Sequence, residues 1–512
     1  MINFFRIFII VVCIIGCKGN DQKKEVNQTS TDPGSKIINA ILGDKDGYYY
    51  IDFSDYPASD KTLPVGIFDS GTGGLTVLKA IVNFDQYNNE THKCGSDGLK
   101  DFITESFIYL GDLANMPYGN YPAEGNLDLL KEHIIKDAQF LLDHKYYSHA
   151  KDTLANTDKQ PVKVIVIGCN TATAYGKQYL EDFISMAGID LEVIGVIDAG
   201  AEGALATINQ DEDAVIGVLA TSATVDSKGY FHAIMDIKDK QRYTGNIEVF
   251  SQGGVGIAEA VDEDANYIIK NASAPRAGYK GPDLSGDPTI VRTLMAAYNF
   301  DFTDEKMLCD AEIFNECSVM QINDAENYLR FHLVALMEQI RKSNTKSRLK
   351  TLILGCTHYP YLADEIERIF EELYDFKTDD GKLVYREFMA RNIELVDPGL
   401  NTAKALYDYL HQKSLINPEG SIKASEFYIS VTNQDNPNVI TDSNSRFIYE
   451  YKYGRTSGEI QEYVKIVPFS RQNISCDVLS RIQKQMPYVY MLIQNFNENC
   501  SKTDRLKELD KI

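Results

Sequence analysis

Two short segments of the chain repeat one pattern, an apolar strand followed by glycine, cysteine and polar residues. The first is Val164–Ala174, VIVIGCNTATA, and the second is Leu352–Pro360, LILGCTHYP. A short aliphatic run is typical of a buried parallel strand, the glycine permits a tight turn, and ligands of parallel α/β sheets bind at such strand ends. A lone buried cysteine is usually a core residue. The matched contexts of Cys169 and Cys356 indicate instead one thiol on each side of a substrate.

The amino terminus has the pattern of an exported protein. Arg6 precedes an apolar run that ends at Cys17, and this run is too short to favour a membrane-spanning helix over a secretory signal. The segment Ile14–Cys17 resembles a bacterial lipobox, which implies a signal peptide over residues 1–17 and lipidation of Cys17; an uncleaved anchor is the alternative. We therefore expect a membrane-anchored lipoprotein of the bacterial cell envelope, on its periplasmic or surface side, with residues 18–62 as a polar tether and lead-in.

The net charge and the spacing of the cysteines limit which partners and which kinds of site we expect. The net charge of −23 argues against a nucleic acid partner, because phosphates would be repelled. The hydrophobic content of 44% is ordinary for a globular protein and permits a sizeable core. The cysteines beyond the leader form no CxxC pair, so we expect no zinc ribbon, no thioredoxin-type motif and no metal site. Cys309 and Cys317 could form a disulfide in an exported protein.

Two further turns follow predicted strands. The first, DSGTGG at 69–74, leads into a helix at Leu75, and such a glycine-rich turn suits a phosphate or carboxylate because helix N-termini present free N–H groups. It has neither the dinucleotide GxGxxG spacing nor the lysine of a Walker A motif, and Asp69 as a solvated N-cap is the alternative. The second turn, Pro117–Gly119, could present Tyr118 to a cleft; a buried tyrosine is the alternative.

Short apolar strands alternate with helical segments along most of the chain, which predicts a parallel α/β architecture. The motifs at the strand ends are, in chain order, DSGTGG at 69–74, PYG at 117–119, GCNTATA at 168–174, TSAT at 221–224 and GCTHYP at 355–360. This order resembles that of the glutamate racemases, within the aspartate/glutamate racemase family, from about Leu63 to about Thr432. The resemblance implies two pseudo-symmetric parallel-sheet α/β domains with the active site in the cleft between them.

The resemblance implies a cofactor-independent amino-acid racemase that interconverts L- and D-glutamate, with no pyridoxal phosphate. The residues suit such chemistry. The α-proton of an amino acid is very weakly acidic, so inversion needs a positioned base and a positioned acid, and a thiolate on one face with a thiol on the other can supply both. A free cysteine has a pKa of about 8.5, and we expect the helix N-termini after the Gly-Cys turns to lower it.

The resemblance also assigns roles to residues around both thiols. Cys169 and Cys356 would be the catalytic pair, with Asp69 assisting Cys169 and His358 assisting Cys356 in proton handling. Glu259 is the nearest match to a further glutamate of the family, and an exposed helix carboxylate is its alternative. The carboxylates and the amine of a small acidic amino acid would be bound by Asp69, Ser70, Tyr118, Gly119, Asn170, Thr171, Thr224, Thr357 and His358.

Two alternatives to glutamate racemisation stay open at this point. An aspartate racemase or another amino-acid racemase would use the same pair of thiols. A non-catalytic surface lipoprotein that binds acidic amino acids is favoured by the predicted export, because D-glutamate for peptidoglycan is needed in the cytoplasm and an oxidising compartment endangers free thiols. The presence of both thiols with their flanking motifs argues against a purely binding role.

The predicted organisation places the two domains within a longer chain. Domain A comprises residues 63–195 and 361–433, domain B comprises residues 196–360 with an insertion at 265–347, and a folded extension of unassigned role covers residues 434–512. The insertion contains TIVRTLMAAYNF and ENYLRFHLVALMEQIRK, whose spacing predicts amphipathic helices packed on their own domain; a lid over the cleft or a homodimer contact is the alternative. In the extension, FIYEYKYG and YVKIVPF predict strands, and residues 476–496 predict a helix.

Overall fold

The computed structural model describes residues 33–261 and 264–512, and the predicted signal peptide and Cys17 lie outside the described residues. Across these two ranges, no helix is both long and apolar enough to cross a membrane. The strands are β1 (Val65–Asp69), β2 (Phe107–Gly111), β3 (Val164–Ile167), β4 (Glu192–Gly195), β5 (Ala214–Ala220), β6 (Ile247–Gly253), β7 (Met307–Cys309), β8 (Met320–Ile322), β9 (Leu349–Gly355), β10 (Met389–Val396), β11 (Glu426–Thr432) and β12 (Val464–Pro468). The α-helices are α1 (Pro33–Gly43), α2 (Leu75–Val82), α3 (Asn120–Ala123), α4 (Leu127–Leu142), α5 (Asn170–Ala187), α6 (Val196–Ala206), α7 (Ser222–Asp226), α8 (Gly229–Lys240), α9 (Ile257–Val261), α10 (Met295–Tyr298), α11 (Ala325–Lys342), α12 (Ala363–Asp375), α13 (Pro398–Gln412), α14 (Tyr449–Gly454), α15 (Cys476–Gln485) and α16 (Pro487–Asn499).

Domain A is built on a six-stranded sheet with the strand order β12-β11-β2-β1-β3-β4. Neighbouring strands run parallel except β11 and β12, which pair antiparallel. The fully buried aliphatic residues of β1 and β3 are typical of central strands that helices cover on both faces. Phe68 is paired with Ile167 in the register, so the turns that begin at Asp69 and Gly168 leave the sheet side by side.

Domain B is built on a four-stranded parallel sheet with the order β10-β9-β5-β6. Ala220 of β5 is paired with Gly253 of β6 and with Gly355 of β9. The turns after these three strands, including the turn that carries Cys356, therefore lie at one edge of the sheet, where ligands of parallel α/β domains bind. The predicted class of two parallel-sheet α/β domains is confirmed, with the antiparallel β12 as a departure from it.

The two domains divide the chain differently from the prediction. β10 pairs with β9, and α12 buries Ile366 and Phe370 in the core of domain B. The chain returns to domain A only at α13, whose Leu406 lies in the domain A core. The predicted domain A segment 361–433 is therefore split between the domains, because the partner of a late strand is set by a distant strand and not by its own sequence.

Residues 33–62, predicted as part of a tether and lead-in, form part of domain A. In α1, Ile37 and Ile41 are buried in the domain A core. The segment after α1 is held by the ammonium group of Lys145, which donates to the carbonyl of Tyr48 at 2.6 Å. The apolar i, i+4 spacing within α1 is sufficient for a packed amphipathic helix, although polar residues precede it.

The insertion in domain B packs against its own domain. α11 corresponds to the longer predicted amphipathic helix, and Leu333 and Met337 on it lie in the domain B core. The segment 289–300 forms only a short 3-10 turn and α10 instead of a full helix. Cys309 and Cys317 form a disulfide bond, which joins the end of β7 to the loop before β8.

The C-terminal extension, residues 434–512, completes domain A. β12 adds an edge strand to β11, and α15 and α16 bury side chains such as Ile482 and Phe496 in the domain A core. FIYEYKYG contains the short helix α14 instead of a strand, and the predicted helix at 476–496 is interrupted at Pro487, because proline lacks the N–H that a helix interior needs. The extension is therefore an integral part of domain A.

Replacement of Val467 by aspartate tests whether the extension stabilises domain A. Val467 is buried in β12, so we expect Val467→Asp to lose several kcal/mol of unfolding free energy, because the new charge would be buried without a partner. Ile440→Asp is the control, since Ile440 of the same extension is 52% exposed and exposed substitutions usually change stability by less than about 0.5 kcal/mol. Thermal unfolding measures both, and equal stability of the two variants would show that β12 does not support the fold.

Candidate active site

Asp69 ends β1 and organises the glycine-rich turn that follows it. Its side chain is buried, and its Oδ2 accepts the backbone N–H groups of Gly71 and Gly74, each at 3.0 Å. A side chain at Gly74 would collide with Asp69, since its Cβ would lie 2.6 Å from the Cβ of Asp69. Burial raises the pKa of Asp69, and these N–H groups and the Cys169 thiol partly oppose the rise. Asp69 is therefore a buried carboxyl group able to hold a proton, not a solvated helix cap.

Cys169 precedes the first residue of α5, and its thiol contacts the Asp69 turn. Its Sγ lies 3.8 Å from Oγ of Ser70 and accepts the N–H of Ala172 at 3.5 Å. Burial, together with the negative charge of Asp69, raises the pKa of Cys169 to about 12, although the N–H groups of Ala172 and Ser70 favour the thiolate. The predicted lowering of the pKa does not occur at Cys169, because the N–H groups do not offset burial beside a carboxylate.

Cys356 occupies the corresponding turn of domain B, after β9. Its side chain is buried, and its Sγ lies 3.6 Å from Nδ1 of His358, which brings an imidazole base next to the thiol. The adjacent Thr357 points towards domain A. Its Oγ1 lies 3.6 Å from the position that a Cβ on Gly73 would take, and that position is 3.5 Å from Oδ2 of Asp69. The Cys356 turn therefore faces the Asp69 turn across the boundary between the domains.

Asn170 connects the two cysteine turns directly. Its Nδ2 donates to the carbonyl of Gly355 at 3.2 Å, so the residue after Cys169 contacts the residue before Cys356. The hydroxyl of Tyr230 donates to Oδ1 of Asn170 at 3.0 Å, which fixes the orientation of the amide. No sequence pattern marks Tyr230, because it lies in α8 outside the motifs and gains this contact only where the domains meet.

A cleft of about 720 Å³ opens beside the second thiol. This volume lies in the range of small-molecule sites and exceeds the needs of a single amino acid. The cleft wall combines predicted site residues with side chains that no motif marks, and its functional groups include Asn170, Cys356, Thr357, Lys79, Tyr361 and Asp397. The ammonium group of Lys79 lies 4.4 Å from the ring centre of Tyr361, which places a cation in the wall of the cleft.

Tyr118 does not present its side chain to the cleft. It is 1% exposed, and its hydroxyl lies 2.6 Å from Oδ2 of Asp112 and 2.6 Å from Oδ2 of Asp137. The alternative of a buried tyrosine therefore describes this residue. Gly119 instead brings its backbone to domain B, since a Cβ at Gly119 would lie 2.8 Å from the Cβ of Ala223. The tyrosine hydroxyl is therefore engaged within domain A, and the turn contacts domain B through the backbone of Gly119.

Three other predicted residues are engaged within their own turns or helices. The hydroxyl of Thr224 is hydrogen bonded to that of Thr221 at 3.0 Å, and Thr171 is buried in the first turn of α5. Glu259 accepts the N–H of Gly256 at 3.1 Å, so it caps the short helix α9. The structure thus brings the residues around Asp69, Cys169, Asn170 and Cys356 together, and gives Thr224 and Glu259 local contacts.

Known proteins with similar sequences include several glutamate racemases. Glutamate racemase from Thermoanaerobacter sp. (strain X514) is 30% identical over 368 residues, which cover 72% of this chain and 88% of that protein. Glutamate racemase from Neisseria meningitidis serogroup C (strain FAM18) is 26% identical over 401 residues, which cover 78% of this chain and 96% of that protein. No protein-family model matches the sequence.

Solved structures of glutamate racemases also align with this chain. A glutamate racemase isoform from Bacillus anthracis is 20% identical with a TM-score of 0.41, and the alignment covers 72% of this chain and 88% of that one. The sequence similarity is the stronger finding, because the Thermoanaerobacter enzyme shares 30% identity across most of its length. This chain belongs to the glutamate racemase family of isomerases.

Proposed function

We propose that the protein interconverts L- and D-glutamate without a cofactor, using Cys169 and Cys356 as the two proton-transfer groups. The observation that carries this proposal is the hydrogen bond from Asn170 to Gly355, which joins the turn of one thiol to the turn of the other. Membership of the family supports an amino-acid racemase. The alternative is an aspartate racemase or another amino-acid racemase, and a comparison of substrates distinguishes it from a glutamate racemase.

The reaction requires one proton to leave the α-carbon and another to arrive from the opposite face. The thiolate of one cysteine takes the α-proton and becomes a thiol, and the electron pair stays on the substrate as a carbanion. The thiol of the other cysteine delivers its proton and becomes a thiolate, so the product has the opposite configuration and the protons balance. In this proposal Asp69 would take up the thiol proton of Cys169, and His358, whose Nδ1 lies 3.6 Å from Sγ of Cys356, would do so for Cys356.

Substrate binding would change the charge balance at Cys169. Its pKa of about 12 results from burial and from the negative charge of Asp69. The α-ammonium group of an amino acid placed beside Asp69 would offset that charge and favour the thiolate. The backbone N–H groups at the start of α5 and at Gly119 would stabilise the α-carboxylate as the carbanion forms. The active form of the thiol would then arise together with the bound substrate.

Cys169→Ser and Cys356→Ser test the proposed roles of the two thiols. We expect the wild-type protein to convert L-glutamate to D-glutamate in deuterated water with deuterium at the α-carbon. Each variant should lose racemisation by about 10²- to 10⁴-fold, the usual contribution of a general acid or base. Circular dichroism follows the inversion, and proton NMR follows the exchange. Cys500→Ser is the matched control, since Cys500 is a half-buried free cysteine in α16's C-terminal flank.

The outcomes of this experiment separate the candidate functions. Full activity of either active-site variant would contradict the two-thiol mechanism. Faster inversion of aspartate or another amino acid than of glutamate would keep the mechanism and change the substrate. Binding of glutamate by the wild-type protein, measured by calorimetry, without any α-deuterium exchange would support a non-catalytic binding protein instead.

The pH dependence of thiol alkylation tests the environment of Cys169. Iodoacetamide reacts with the thiolate, so with a pKa of about 12 the labelling rate of Cys169 should rise roughly tenfold per pH unit between about pH 7 and pH 10 in the absence of substrate. In the denatured protein the same rate should level off near the ordinary cysteine pKa of about 8.5. Peptide mass spectrometry measures both series. A plateau at the same pH in native and denatured protein would contradict the raised pKa.

We further propose that the chain is exported and anchored to a membrane by lipid on Cys17. The lipobox-like segment Ile14–Cys17 supports this proposal. The disulfide between Cys309 and Cys317 also supports it, because stable disulfides are typical of oxidising compartments. A homodimer contact through the insertion stays a prediction.

Cys17→Ser tests the proposed anchor. We expect the wild-type chain, produced in a bacterial host, to incorporate labelled fatty acid and to sediment with membranes, and we expect Cys17→Ser to lose both properties because the acyl chains would have no attachment site. Cys13→Ser is the matched control in the same leader and should behave as the wild type does. Fatty acid incorporation by Cys17→Ser would contradict the assignment.

A further inference from the structure

The C-terminal extension packs against the segment of domain A that carries the Pro117–Gly119 turn. This contact is made by residues 449–461 of the extension against residues 115–136 of domain A. Both backbone and side-chain groups take part. The hydrogen bonds run from Lys452 Nζ to the Met116 carbonyl at 2.7 Å, from Tyr449 to Glu124 at 2.6 Å, from Asn120 to the Tyr453 hydroxyl at 3.1 Å, from Asn126 to the carbonyls of Tyr453 and Arg455 at 2.8 Å each, and from the Gly458 N–H to Glu132 at 2.6 Å.

Arg455 lies at the centre of this contact and is 6% exposed. Its Nη2 donates to Oδ1 of Asn115 at 2.6 Å. The guanidinium carbon lies 4.5 Å from the ring centre of Phe447, 4.9 Å from that of Tyr463 and 5.5 Å from that of Tyr451. These aromatic rings stabilise the cation and restrict its orientation. Arg455 therefore brings a fixed positive charge to the base of the turn, in addition to the ammonium group of Lys452 at Met116.

A series of hydrogen bonds leads from Arg455 to the turn. Because Oδ1 of Asn115 accepts from Arg455, its Nδ2 is turned towards Asp112 and lies 3.1 Å from Oδ1 and 3.0 Å from Oδ2 of that carboxylate. Asp112 Oδ2 accepts the hydroxyl of Tyr118 at 2.6 Å. Tyr118 is the middle residue of the turn, so the Asn115 amide helps to hold the turn, together with Ser430, whose hydroxyl donates to Oδ1 of Asp112 at 2.6 Å.

The charge balance of this cluster also requires a cation. The hydroxyl of Tyr118 has one proton but lies 2.6 Å from both Asp112 and Asp137, so the second contact requires a proton on one of these two carboxyl groups, and we assign it to Asp137. Burial and the charge of Asp112 raise the pKa of Asp137 well above its ordinary value, in agreement with this requirement. Asp112 is then the remaining carboxylate, and Arg455 lies near it through Asn115 while Lys136 and Lys452 also interact with its charge.

We propose that Arg455 is a positioning residue for substrate binding, which acts through Asn115, Asp112 and Tyr118 to hold the backbone of Gly119 against domain B. This inference rests on the proposed function, in which the N–H groups of that turn bind a substrate carboxylate. The extension would thus support the substrate site of domain A through this series of hydrogen bonds, without contacting the substrate itself. Loss of the guanidinium should weaken substrate binding more than it slows proton transfer at the thiols.

Arg455→Met in the full chain tests this proposal. Methionine can occupy the aromatic surroundings but donates no hydrogen bond, so we expect KM for glutamate to rise about tenfold or more while kcat changes less than about threefold, the loss expected for a charge-assisted contact. Arg455→Lys restores the charge without the planar donor group and should recover part of the lost KM. Steady-state racemisation with thermal unfolding of each variant provides the measurements.

Lys502→Met is the matched control. It removes another largely buried cation of the extension, one that pairs with Glu426 and not with the turn, so its KM should stay near that of the wild type. An unchanged KM in Arg455→Met, a loss of kcat alone, or an equal rise of KM in Lys502→Met would overturn the proposal. If Arg455→Met does not fold, the KM and kcat of Arg455→Lys test the proposal by the same criteria. A wild-type protein that neither binds nor racemises glutamate would instead refute the proposed function, which distinguishes the two failures.

Discussion

The hydrogen bond from Asn170 to the carbonyl of Gly355 is the interaction on which the arrangement of the site depends. It joins two sheets with separate hydrophobic cores at the point where each sheet ends in a Gly-Cys turn. The positions of both turns follow from strand register, β1 with β3 in domain A and β5 with β9 in domain B. A slip of one residue between β1 and β3 would reverse the side-chain directions and move Cys169 away from Asp69.

Local patterns explain why the fold class and the two cysteine turns could be predicted. An apolar run followed by Gly-Cys, as at Val164–Ala174, contains the signals for the strand, the turn and the start of the helix within eleven residues. The direction of the Tyr118 side chain could not be predicted, because Asp137 on α4 decides it. The contacts of Tyr230 and Arg455 could not be predicted either, since each is made with a partner far away in sequence.

The C-terminal extension shows that distant contacts also decide whole secondary-structure elements, which local sequence then fails to predict. Aromatic and charged residues alternate in its segment FIYEYKYG, a pattern that predicts a strand. The segment forms α14 instead, because the contacts of Tyr453 and Arg455 with α3 and α4 determine its conformation. β12, by contrast, was predictable as a strand from its β-branched residues, but its pairing with β11 was not. That pairing covers an edge that would otherwise expose unpaired backbone groups. The extension therefore covers the sheet edge with β12 and packs against the Pro117–Gly119 segment with Lys452.

Burial of Cys169 reconciles a reactive thiol at this position with the proposed export. Oxidants attack the thiolate rather than the thiol, and a pKa of about 12 keeps Cys169 almost entirely in the thiol form at neutral pH. The same burial would make Cys169 a poor base if nothing offset the charge of Asp69. In the proposed reaction, the α-ammonium group of a bound amino acid would supply that compensation, so the thiolate would form only when there is an α-proton for it to remove. Protection from oxidation and activation by substrate would then have one physical origin, the pairing of a buried thiol with a buried carboxylate.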